Sequence, residues 1–170
     1  MFWFIYHLPL WFVAGGTVAA PFVWALMMLP VAKRSTKAVR NLNIFFLLIA
    51  LGGILYVTLF RSSSGERECI LMPFHIFIEA RGQRDFYRSM LMNITLFTPL
   101  GIALPFALTD LKKPTAKAIV LACLLSIMIE VLQFILGTGR CETDDVLCNT
   151  LGAAIGSLSY VVSVKKISKA

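Results

Sequence analysis

Charge is what this chain has least of. Only 15% of its 170 residues are Asp, Glu, Lys or Arg, while 58% are hydrophobic and the mean hydropathy is +0.80. Soluble domains carry about 25% charged residues, so that class is excluded and the chain reads as an integral membrane protein. Histidine is scarce too. Two histidines and four cysteines, with no CxxC spacing, form no zinc-ligand pattern, and neither metal nor cofactor is expected. Internal repeats are lacking, which argues against a transporter built from two matched halves. The opening MFWFIYHLPLW has no Lys or Arg to form a charged leader. Its apolar length also exceeds a signal-peptide core, so it is read as a permanent helix.

What is present is a series of apolar runs over Phe2 to Leu29, Asn43 to Phe60, Ser89 to Leu108, Ala118 to Leu136 and Val146 to Val164. Each approaches or exceeds the roughly 20 residues that cross the hydrocarbon core as a helix. The expected fold is therefore an all-α integral membrane protein of about five transmembrane helices, one membrane domain over residues 1–170. Pro9 and Pro21 predict a tilt, a kink or an interfacial start for the first run. Trp3, Tyr6 and Trp11 suit the headgroup level, where amphipathic rings settle.

The cations orient the spans. Lys33, Arg34, Lys37 and Arg40 follow the first run; Lys112, Lys113 and Lys117 follow the third; Lys165, Lys166 and Lys169 follow the fifth. Five crossings place these clusters on one side, which the positive-inside rule makes cytoplasmic, with the N-terminus outside and the C-terminus inside. Basic clusters beside an anionic inner leaflet account for the net charge of +7 without any nucleic-acid partner.

The six cations on the other side, Arg61, Arg67, Arg81, Arg84, Arg88 and Arg140, are all arginine. The guanidinium fork suits phosphate and carboxylate. Two readings stand: an anion-binding outer surface, or a solvated loop in which these arginines pair with Glu66, Glu68, Glu79 and Asp85.

Polar groups in the outer half of the spans are the functional candidates, because an ionisable side chain in a membrane segment costs about 3 kcal/mol and normally faces a partner or a wet cavity. Glu130 and Gln133 share a face at i, i+3. Asp145 and Asn149 share one at i, i+4 where the last helix enters the membrane. Arg140 and Asp144 lie in the hairpin from Gly137 to Asp145, and Asn93 sits at the outer start of the third span.

The motifs NITLFTPLG from Asn93 to Gly101, E-V-L-Q from Glu130, G-R-C-E-T-D-D and N-T-L-G-A-A-I-G to Gly156 resemble the signatures of the VanZ-like family. LMPF at Leu71 to Phe74 is similar to that family's external loop, although this chain has Ile70 where the loop often carries Asn. The likeness covers approximately residues 54–164. It implies a multi-pass protein of the bacterial cytoplasmic membrane, in a family associated with resistance to the glycopeptide teicoplanin. It implies no particular reaction.

The residues leave roles open. Glu130 and Asp145 are the candidate catalytic acid or base, and Glu130 is alternatively an ion-pair partner of Arg140 or a hydrogen-bonded clamp. Asn93, Gln133, Arg140, Asp144 and Asn149 are candidate ligand contacts. For the amides the alternative is bridging helices; for Asp144 and Asp145 it is capping the last helix or holding a hard cation; for Arg140 it is pairing inside its own hairpin. Gly152 and Gly156 form a small-xxx-small packing face. His75 is read as structural or solvated. Ser126 lies on the Glu130 face, with no histidine to activate it. Besides membrane lipids, the expected partner is a lipid-linked cell-wall precursor or a glycopeptide, bound by a nonenzymatic envelope factor. A membrane hydrolase or transferase on such a substrate, and a small flippase, are the alternatives.

Overall fold

The protein is described from a computed structural model over residues 8–59, 68–80 and 84–167. Trp3, Tyr6, Arg61, Glu66, Arg67, Arg81 and Lys169 lie outside the described residues. The elements run α1 (Leu10–Arg34), α2 (Thr36–Leu59), β1 (Cys69–Ile70), α3 (His75–Ala80), α4 (Arg84–Ala107), α5 (Pro114–Leu136), β2 (Cys141–Glu142) and α6 (Thr143–Ile167). Among the described residues, α1, α2, α4, α5 and α6 are the five helices long and apolar enough to cross a membrane, as expected.

Helix starts differ from the apolar runs. Helices α2, α4 and α6 begin at Thr36, Arg84 and Thr143, several residues before Asn43, Ser89 and Val146. Hydropathy marks the hydrocarbon slab, whereas backbone hydrogen bonding carries a helix on through charged residues at its edge. Helix α1 follows Pro9 and runs unbroken through Pro21 and Pro30. Each interior proline removes one backbone donor from the helix.

Because the spans alternate in direction, the segments after α2 and α5 meet at one end, and the C-terminal ends of α1, α4 and α6, with the lysines in or beside them, lie at the other. Helices α4 and α6 make the most extensive pairing in the bundle. They run parallel with their backbones touching. A Cβ added to Gly152 would lie 2.1 Å from the Ile94 carbonyl oxygen, and one added to Gly156 would lie 2.2 Å from that of Thr98. Gly101 returns the contact, with its own added Cβ 2.1 Å from the Ala153 oxygen. Small residues are needed here because lipid tails are as apolar as leucine, so helices associate through close packing and buried hydrogen bonds.

Ile54, Phe97, Leu100, Ala122, Ile129 and Ala153 form the main apolar core, drawn from α2, α4, α5 and α6. Met28, Val39 and Phe106 form a second core toward the lysine end. The perimeter is apolar as well, with Phe22, Phe45, Leu48, Val120, Leu124 and Ile135 exposed, as a lipid-facing surface requires.

Asn43 ties α1 to α2. Fully buried, it donates through Nδ2 to the Val39 carbonyl at 2.8 Å and accepts the Trp24 indole N–H at 3.0 Å. Trp24 in turn stacks on Phe46 at a centroid distance of 4.4 Å. Asn43→Leu strands the indole N–H, and a loss of about 1–2 kcal/mol is expected. An SDS-titration midpoint unchanged from wild type would refute this account of the α1–α2 contact.

Candidate functional site

The candidate site lies at the hairpin end and begins with the stop of α5. Gly137, at φ 65°, adopts the left-handed conformation that glycine takes without strain, and Thr138 N–H returns to the Gln133 carbonyl at 3.0 Å. This Schellman-type closure turns the chain back over the end of α5. The strand β2 that follows pairs in parallel with β1, in the register Cys69 to Cys141 and Ile70 to Glu142. Cys141 N–H donates to the Glu68 carbonyl at 2.9 Å.

Folded back in this way, the hairpin is held from below by α5. Glu130, 4% exposed, accepts the Glu142 backbone N–H through Oε2 at 3.1 Å. A full turn further on, buried Gln133 donates from Nε2 to the Thr58 carbonyl at 3.1 Å. That oxygen is in the last turn of α2, where carbonyls have no helical partner. Gln133 thus closes one helix end with the side chain of another. Above them Arg140 Nε sits 2.8 Å from Glu142 Oε1, with its NH1 3.9 Å from Glu68 Oε2.

Deeper in the bundle, Asn149 on α6 donates from Nδ2 to Ser126 Oγ on α5 at 2.9 Å. Ser126 is fully buried and Asn149 is 4% exposed. The other polar atom of that amide, Oδ1, is buried without a hydrogen-bond partner among the described residues. Leaving a buried acceptor unpaired costs about 1–3 kcal/mol. Thr138 Oγ1 in the hairpin is in the same state.

Asp144 and Asp145 are not hairpin residues. Because α6 begins at Thr143, both carboxylates lie within its first turn, past the cap position, where the helix dipole favours negative charge. Asp144 is buried and accepts the Phe74 N–H at 2.5 Å. Phe74 has φ 63°, a conformation disfavoured for a bulky side chain, and its ring is exposed. Asp144 therefore holds a strained loop over the site. His75 follows directly and starts α3.

Glu130, Gln133, Arg140, Asp144 and Asn149 are thus brought together on three consecutive segments, with Asp145 beside them, half-buried. Asn93 is half-buried on α4, one residue before Ile94, whose carbonyl packs against Gly152, and it makes no side-chain hydrogen bond among the described residues. Sequence reasoning overlooked Glu142, Gly137, Thr138 and the Phe74 amide. Gly137 was findable as a glycine ending an apolar helical run; the Phe74 contact spans 70 positions and left no local signal.

Burial pushes the Cys141 thiol up to about 11, helped by the neighbouring Cys69 thiol and, to a smaller extent, by the charges of Glu130 and Glu142. Among the described residues, no group of three or more His, Cys, Asp or Glu is arranged to hold a metal ion.

Residues 44–164 match the family model described as VanZ/LLP1. Over 83 residues the chain is 31% identical to Protein VanZ of Enterococcus faecium, a match covering 49% of this chain and 50% of that protein. The matched segment therefore spans only half of that relative's length. No solved structure matches.

Proposed function

The chain belongs to the VanZ/LLP1 family, and from that premise we propose that it binds the head group of a lipid-linked cell-envelope intermediate at the outer leaflet of the bacterial cytoplasmic membrane. In this reading the lysine end faces the cytoplasm, by the positive-inside rule. The protein acts as a nonenzymatic factor, and the binding is what links it to resistance against teicoplanin-type glycopeptides.

The observation that carries the reading is the unpaired amide oxygen of Asn149. A buried acceptor beside Ser126, one turn from the buried carboxyl of Glu130, calls for a donor from outside the chain. The amide N–H and sugar hydroxyl groups of a wall-precursor head group are donors of that kind, and its prenyl tail suits the apolar helix faces. Arg140 already lies against Glu142 and Glu68, so an anionic group on the ligand would bind by sharing that arginine with them.

A fluorescent prenyl-pyrophosphate disaccharide-pentapeptide, titrated against the protein in nanodiscs, tests this. Saturable binding is expected, weakened about tenfold by Asn149→Ala, the equivalent of one hydrogen bond to a buried acceptor. Ser126→Ala removes the internal bond but keeps the Asn149 oxygen, and should bind like wild type. Equal affinity for wild type and Asn149→Ala, or an absence of saturable binding, sinks the proposal.

A further inference from the structure

We propose that Cys69 and Cys141 are a redox site, whose reversible disulfide, made by exchange with the disulfide of an oxidoreductase or small molecule, staples the loop before α3 to the hairpin bearing Arg140 and Glu142. The strand register sets the two residues opposite each other in a parallel pair. In-register neighbours lie about 4.8 Å apart, inside the roughly 4.4–6.8 Å span of disulfide Cα pairs. The Cys141 amide is fixed on the Glu68 carbonyl at 2.9 Å, which holds the two cysteines in that register. Neither element needs to move far for a bond to form.

Exposure assigns the order of steps. Cys69 is exposed and Cys141 is half-buried, so the incoming disulfide meets Cys69 first. The Cys69 thiolate attacks one sulfur of the oxidant, forming a mixed disulfide and expelling the other sulfur as a thiolate. Cys141 then loses its proton and attacks the Cys69 sulfur, which expels the second oxidant thiolate. Two protein thiols are oxidised while one external disulfide is reduced to two thiols. Cys141 attacks as its thiolate, so the second step should speed up as the pH is raised from 7 to 9.

The staple closes on the functional end. Cys141 precedes Glu142, whose N–H rests on Glu130, and Cys69 follows Glu68, which faces Arg140. Oxidation therefore fixes the lid over the Asn149 and Glu130 groups, and reduction loosens it. Bond formation is independent of whether those groups take a wall precursor. Only the source of the oxidant rests on the reading that this end faces outward.

The purified wild-type protein in nanodiscs is equilibrated in reduced and oxidised glutathione over a range of ratios, alkylated and mapped by mass spectrometry. A peptide pair joined at Cys69 and Cys141 and lighter by two hydrogens is expected, with Cys123 and Cys148 alkylated throughout when the label is added in denaturant. Oxidation should also slow hydrogen exchange at the Glu142 amide at least tenfold. In whole cells, alkylation before lysis should find the same joined pair, and Cys69→Ser should abolish it. Two thiols still alkylated in excess oxidised glutathione, a pair involving Cys123 or Cys148, or full reduction in cells would overturn the proposal. The precursor titration has a separate readout, so either idea can fail alone.

Discussion

Gly156→Ala is expected to destabilise the protein by on the order of 3 kcal/mol, as are Gly101→Ala and Gly152→Ala. The added Cβ would lie 2.2 Å from the Thr98 oxygen, 2.7 Å from the Ile102 nitrogen and 2.9 Å from the Gly101 carbonyl carbon. Every one of these atoms is backbone, so no rotamer change relieves the overlap. Helices α4 and α6 must separate, and the Ser159 hydroxyl that donates to the Ile102 carbonyl at 3.3 Å goes with them. Gly52→Ala and Gly53→Ala provide the contrast. Nothing lies within 4 Å of a Cβ at either position, and alanine's helix propensity should make both neutral or stabilising by up to about 1 kcal/mol. Unfolding midpoints in SDS or urea check the ordering. Gly101→Ala combined with Gly156→Ala should cost less than the sum of the two, since one separation of the helices relieves both overlaps.

The contrast between these glycines shows what a sequence carries in a membrane. Five spans were legible because the hydrocarbon slab imposes apolar runs of a set length. The spacing of Gly152 and Gly156 marked a packing face because only small residues allow backbones to touch. Which helix they face was not legible, since Gly101 and Thr98 lie about 50 positions upstream and no periodicity links the two segments. Helix starts were misjudged where Lys37, Arg40, Asp144 and Asp145 continue helices past the apolar run. Both aspartates accordingly lie inside the first turn of α6 rather than at its cap.

The site divides in the same way. Glu130 with Gln133, and Asp145 with Asn149, share helix faces by spacing alone. The contacts that define the arrangement are tertiary and could not be read locally: Asn149 to Ser126, Gln133 to the Thr58 carbonyl, and Asp144 to the Phe74 amide. The parallel pairing of β1 with β2 is the extreme case, two residues long on each side, with no hydrophobic pattern of its own to announce it.

Glu130→Ala and Glu130→Gln together decide what the buried carboxyl does. Glu130 accepts the Glu142 N–H, and Ala leaves that half-buried amide without its acceptor, which costs about 1 kcal/mol. The hairpin would then lose its support from α5, and with it the placement of Arg140 beside Glu142. Glu130→Ala is accordingly expected to lower the unfolding midpoint and, if the chain acts as proposed above, to reduce teicoplanin protection in cells to the empty-vector level. Gln retains a carbonyl oxygen at the same reach but cannot transfer a proton as the acid does. If the carboxyl braces the hairpin for binding, Glu130→Gln keeps both stability and protection, with fast exchange at the Glu142 amide appearing only in the Ala variant. A Gln variant that reaches wild-type levels in the membrane, folds, and gives no protection would show instead that the proton on Glu130 is used. The nonenzymatic reading would then give way to acid–base chemistry on the bound head group, with Glu130 as its donor or acceptor.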